Sequence, residues 1–140
     1  LFRMVDGADG TPCSTWSERH ALFAAGLGTF GLCDGFLTPV GKAMRCGSVV
    51  TSALLPVPPR KYESHVDACP FLYSGKCGAC IRRCPTGAIG PWGHDKLRCK
   101  EYQDTILRPL RERYGVEITG CGLCQTGVPC ESGLPRHGAD

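Results

Sequence analysis

No stretch of this sequence is apolar for long enough to span a bilayer, so a helical membrane anchor is not expected. A secretory leader is also lacking: residues 1–10 are mixed and glycine-rich, not basic and then apolar. Charge of one sign is scarce. The 16 Lys and Arg set against 13 Asp and Glu leave a formal net charge of +3, too small to imply nucleic-acid binding. Cysteine, by contrast, is abundant, with 11 in 140 residues. An odd count, repeated C-x2-C pairs and no leader argue against a disulfide scaffold and for metal in a reducing, cytoplasmic compartment. The chain begins at Leu1 rather than Met and is read as a fragment with N-terminal sequence missing.

A chain of this length makes one ordinary domain or two small ones and buries about two-thirds of its surface on folding. Its 42% apolar and 21% charged residues are a globular composition. Residues 1–15 read as an irregular lead-in. Thr15 and Glu18 match a Thr-x-x-Glu capping box before the apolar run 21–27, predicting a helix near 16–26 that Gly26, Gly28 and Gly31 end. Those glycines also match G-x-G-x-x-G. That fingerprint needs a strand before it and a helix after it, whereas a helix precedes here, so the match is read as chance. RCGSVVTSALL (45–55) is β-branched in its middle and predicts a strand, and PVPP (56–59) predicts an extended connection. DKLRCKEYQDTILRPLRERYG (95–115) places Leu97, Tyr102, Ile106, Leu107 and Leu110 at roughly helical spacing, with Gly115 as the stop and a kink at Pro109. The expected division is an N-terminal piece at 1–60, a cysteine module at 61–133 and a tail at 134–140. One helix and one strand make a poor domain, which strengthens the expectation of missing sequence.

Residues 69–85 read CPFLYSGKCGACIRRCP. The end of this stretch is most of the iron–sulfur run C-x2-C-x2-C-x3-C-P, whose fourth cysteine serves a different cluster from the other three. Cys77, Cys80 and Cys84 fill the last three places, Ser74 stands in the first, and Cys69 lies five residues upstream of it. Eight cysteines fall between 69 and 130: Cys69, Cys77, Cys80, Cys84, Cys99, Cys121, Cys124 and Cys130. Eight thiolates are what two clusters with four cysteine ligands each require. Gly78 and Gly122, each directly after a ligand, allow the backbone to wrap a cluster corner. Zinc is the alternative. The pairs 77/80 and 121/124 would make one four-cysteine site, but four cysteines would then be idle and the pairs are farther apart than in a zinc ribbon. Two [4Fe–4S] clusters, each carrying about −2 with its thiolates, would take the chain from +3 to about −1.

Other residues get plainer readings. Cys13, Cys33 and Cys46 are taken as small buried hydrophobes, with contact between Cys33 or Cys46 and a cofactor as the sharper alternative. His65 and His94 are expected at the surface or behind the ligands. Arg82 and Arg83 form either a solvated face or a patch that tunes the potential or docks a partner. Trp16 and Trp92 are read as packing residues.

Four segments together resemble a known family: ERHALFAAGLGTFGLCDGFLTPVGKAMRCGSVVTSALLP (18–56), CGACIRRCPTGAIG (77–90), GHDKLRCKEY (93–102) and CGLCQTGVPCE (121–131). They look like the C-terminal part of the epoxyqueuosine reductases and their relatives, including corrinoid-dependent reductive dehalogenases. In that family a cobalamin domain precedes a ferredoxin-like module whose two [4Fe–4S] clusters pass electrons to cobalt. Carried over by position, the resemblance implies Cys77, Cys80 and Cys130 on one cluster and Cys84, Cys99, Cys121 and Cys124 on the other. Cys69 is then the unassigned cysteine nearby and is expected to complete the first cluster. Two departures touch that same cluster. The first cysteine is displaced, and the last motif is C-x2-C-x5-C-E where the family has C-x2-C-x3-C-P.

The resemblance implies an α+β fold, a ferredoxin-like double-cluster module with a partial N-terminal α/β segment. It implies electron transfer through two [4Fe–4S] clusters, as a ferredoxin-like protein or as the electron-delivery part of a reductase. A cobalamin-dependent reductase and a zinc-stabilised binding module remain the alternatives. Cobalamin is not expected to bind this chain alone, and no catalytic residue is assigned. The expected partner is a redox protein or the missing N-terminal domain, with neither nucleic acid nor membrane involved.

Overall fold

A computed structural model describes residues 3–117 and 120–135. Of the expected tail, residues 136–140 lie outside the described residues. The architecture is α+β, short helices interleaved with three separate two-stranded antiparallel sheets. Strands β1 (Met4–Asp6) and β2 (Pro12–Ser14) pair with Val5 opposite Cys13, giving the lead-in more order than its composition predicts. Helix α1 spans Glu18–Ala24 and ends at Gly26, whose φ of +72° suits glycine. Its N-cap position belongs to Ser17, not to Thr15 of the predicted box; Thr15 Oγ1 instead accepts from the Arg3 amide at 3.0 Å.

The glycine-rich stretch after α1 forms a hairpin of β3 (Thr29–Phe30) and β4 (Phe36–Leu37), with Phe30 paired to Phe36. No helix follows it directly, consistent with reading the glycine fingerprint as chance. Gly28 is demanded by packing, because a Cβ there would run into the Leu37 carbonyl. His20, Phe23 and Phe36 pack around Phe30 on this hairpin, the first two tilted and Phe36 T-shaped, with ring centroids 4.9–6.2 Å apart.

The predicted strand at 45–55 does not form. Residues 44–62 have no secondary structure, and Val49, Val50, Leu54, Leu55 and Val57 are at least 70% exposed. A strand needs a partner ladder, and no described residue supplies one here. The chain rejoins the body at Arg60, whose guanidinium lies 4.6 Å over the Phe23 ring and caps α1 through the Phe23 carbonyl at 2.8 Å.

Beyond it come α2 (Pro70–Ser74), α3 (Ala79–Arg83), β5 (Ile89–Gly90), β6 (Gly93–His94) and α4 (Lys96–Tyr102). The long predicted helix is realised in pieces: α4, a π-helical turn at Gln103–Leu107, and α5 (Leu110–Tyr114). Pro109 has no N–H to continue the α ladder, so widening in the turn before it is the expected response. Gly115 stops α5 in the left-handed conformation, as its sequence position implied. Two residues of the VEIT stretch, 118 and 119, lie outside the described residues.

Phe36, Leu37, Ala79, Ala88 and Val128 are buried, as is a packed cluster of Leu32, Cys33, Cys69 and Ile89 with Phe71, Cys80, Ile81, Cys84 and Cys124 against it. Much of that cluster is therefore sulfur. Among the described residues no helix is long and apolar enough to cross a membrane.

Candidate metal centres

The β3–β4 hairpin fixes Cys69. Thr29 is fully buried, and its Oγ1 accepts from the Ala68 amide at 3.2 Å, while the Phe30 amide donates to the His65 carbonyl at 2.6 Å. Asp67 Oδ2 accepts the Glu63 and Ser64 amides at 2.8 and 2.9 Å, closing the turn before Cys69. Cys69 itself is 8% exposed and extended (φ −94°, ψ 109°), as a residue preceding proline should be. Cys84 before Pro85 repeats that geometry with φ −76° and ψ 113°. The two Cys-Pro steps are thus local equivalents. Ser74, where the ordinary ligand would stand, is exposed at the end of α2 and donates to the Pro70 carbonyl at 2.6 Å.

The C-x2-C turn opens with Cys77 at φ +87° and Gly78 at φ +62°, both left-handed, so Gly78 plays its predicted part. Gly122 does not adopt that conformation. Cys99 sits inside α4, behind an Asp95 cap that accepts the Arg98 amide at 2.9 Å. Arg82 donates to the Cys77 carbonyl at 2.8 Å and Arg83 to the Leu123 carbonyl at 2.9 Å. These arginines tie the cysteine loops together, a structural role their sequence position did not disclose.

The eight predicted cysteines line two cavities. Cys69, Cys77, Cys80 and Cys130 line one of about 20 Å³, with Lys42 also in its wall. Cys84, Cys99, Cys121 and Cys124 line another of about 460 Å³, together with Cys33 and His94. The two C-x2-C pairs thus face different cavities. Among the described residues no three His, Cys, Asp or Glu side chains converge on a single metal-ion position; the thiols surround volumes instead. Four thiols per cavity is the donor chemistry of two all-cysteine clusters. The larger cavity offers ample space, whereas seating a cube in the smaller requires its walls to move outward.

Between the cavities Cys33 meets Cys80 and Cys124. Hydrogen bonds from the Cys124 and Cys80 thiols hold the Cys33 pKa far below the usual thiol value, and the same contacts push those two thiols up. Thiols this close cannot all ionise together. Burial also raises Cys99 and Cys130. Lys42 is buried, which pulls its pKa down, but the Cys33 and Cys130 thiols outweigh this and leave it raised. Its Nζ donates to Cys33 Sγ at 3.2 Å.

Sequence reading missed Lys42 altogether: a lysine after Pro-Val-Gly looks like an ordinary turn residue. Cys33 is the small buried core residue of its plainer reading, and it packs against the predicted ligands Cys80 and Cys124. Cys13 and Cys46 are half-buried, and neither lines either of these two cavities. His94 pairs with Asp34 at 3.1 Å, and that bond raises its pKa. Trp16 and Trp92 are 53% and 76% exposed, so neither joins the core, although the Trp92 ring packs over Gly90.

Comparison with known proteins bears on this arrangement. An epoxyqueuosine reductase from Francisella cf. novicida is 34% identical over 128 residues, 84% of this chain and 33% of the relative. One from Bacillus cereus is 32% identical over 127 residues, 86% of this chain and 31% of its own length. One from Escherichia coli is 34% identical over 119 residues, covering 80% of this chain and 29% of the relative. The chain is epoxyqueuosine reductase-like. It spans about a third of the length of the first two of these relatives. No protein-family profile and no solved structure matches it.

Proposed function

We propose that this epoxyqueuosine reductase-like chain is an electron-transfer module holding two [4Fe–4S] clusters in a ferredoxin-like arrangement. Cys69, Cys77, Cys80 and Cys130 bind the first, and Cys84, Cys99, Cys121 and Cys124 bind the second. The observation that carries this reading is the division of eight thiols between two cavities, four in each, along the lines the family resemblance implies. A bound cluster supplies reversible one-electron chemistry between its 2+ and 1+ states. The chain's own contribution is to fix the thiolates, exclude water and surround the sulfurs with donors that set the potential. Electrons would enter from a redox partner protein or a further domain, for which the exposed apolar stretch at 49–57 offers a contact surface. The pairs 77/80 and 121/124 face different cavities, which weighs against a single zinc site built from both.

The test is optical. Anaerobically reconstituted protein should be brown, with a broad band at roughly 400 nm that bleaches on reduction, as all-cysteine cubanes do. A colourless protein that takes up zinc would end the proposal. The identity to epoxyqueuosine reductases favours a second reading, a cobalamin-dependent reductase of which this chain is one part. No side chains here are assigned to cobalamin. Titration of the full-length protein with cob(II)alamin decides that reading, since a protein that gives no spectral change retains the electron-transfer role alone.

A further inference from the structure

We infer that Lys42 is a positioning residue for the first cluster, a buried cation that raises its reduction potential from the wall of that cavity. The inference rests on the two-cluster reading above. Lys42 is 3% exposed. An ammonium so buried is costly unless an anion faces it. Among the described residues no carboxylate pairs with it; its partner is the Cys33 sulfur at 3.2 Å, and it shares the wall of the first cavity with Cys130. Lys42 lines the first cavity and Cys33 the second, so this pair joins the two sites.

Its position is built rather than incidental. The Lys42 amide donates to the Cys130 and Glu131 carbonyls at 3.0 and 3.1 Å, and the Ala43 amide adds another bond to Glu131 at 3.0 Å. Gly41 turns the chain at φ +92°, where any side chain would strike the Glu131 carbonyl. The turn therefore locks the lysine against the last cysteine.

A cation held among anionic sulfurs favours whichever cluster state carries more negative charge. Reduction adds one electron to a cluster from an external donor, so the cation stabilises the reduced state. Lys42 itself gains and loses nothing in that step.

The experiment is an EPR-monitored redox titration with dithionite on the reconstituted full chain, after iron counting. Lys42→Met should lower the potential of the first cluster by at least tenfold in the reduced-to-oxidised ratio at the wild-type midpoint, about 59 mV for one electron. Lys42→Arg should stay near the wild type. Iron-replete Lys42→Met at the wild-type potential overturns this inference alone; wild-type protein without iron overturns it together with the reading beneath it. Should Lys42→Met fail to load, pulsed EPR of reduced wild-type protein labelled with 15N-lysine decides. A nitrogen coupling that Lys42→Arg removes supports the role, and the lack of such a coupling overturns it.

Discussion

At the residue scale, the point of interest is the exchange of Ser74 for Cys69. The backbone amides that Thr29 and Asp67 accept place Cys69 at the cavity, while Ser74 is turned outward onto its own helix. Cys69→Ala should therefore cut bound iron from about eight to about four per chain, whereas Ser74→Ala should leave it unchanged; a colorimetric iron assay reads both. A second prediction concerns pH. The Asp34 bond raises the His94 pKa. A raised folded pKa contributes stability that is full below the ordinary histidine value of about 6.5 and fades as pH climbs through the higher folded value. The Asp34 side chain is 41% exposed, so the expected contribution is small, on the order of 0.5 kcal/mol. Asp34→Asn should lower the melting temperature at pH 5.5 and leave it nearly unchanged at pH 9.

At the scale of elements, the turn at Thr38–Gly41 has an importance out of proportion to its length. Gly41→Ala imposes both a left-handed β-carbon and a collision with Glu131, and should cost about 2 kcal/mol or more. Urea unfolding measures that cost, and an undiminished midpoint would contradict it. The 44–62 stretch should behave oppositely. Exposed and without secondary structure, it is where limited proteolysis should cut first, with Arg45 the expected tryptic site. Here the sequence was informative only in part. Helix α1, its glycine end, the Pro109 disruption and the Gly115 stop were legible because each is a local steric effect. The strand at 45–55 was not, because β-branching states a preference for extended backbone and says nothing about whether a neighbouring strand exists. The cap at Ser17 rather than Thr15 is an ambiguity of two residues between equally suitable side chains.

At the scale of the molecule, the candidate site was more legible than the fold around it. Cysteine spacing constrains ligand geometry, so eight candidate thiols could be proposed from sequence; the resemblance divided seven of them, Cys69 was the unassigned neighbour, and the two sets line two cavities. Lys42 could not be named, since nothing in a one-dimensional pattern tells a surface lysine from one buried among sulfurs 88 residues away at Cys130. The packed group around Cys33 and Cys69 is rich in cysteine, so in the proposed form the bound clusters would serve as core as well as cofactor. Chelation of iron should then unfold the chain rather than merely bleach it. The central claim, two all-cysteine cubanes in one chain, meets its most direct test in iron and acid-labile sulfide counts on anaerobically purified protein. About eight irons and about eight sulfides per chain are predicted. One zinc with neither iron nor sulfide would contradict the account.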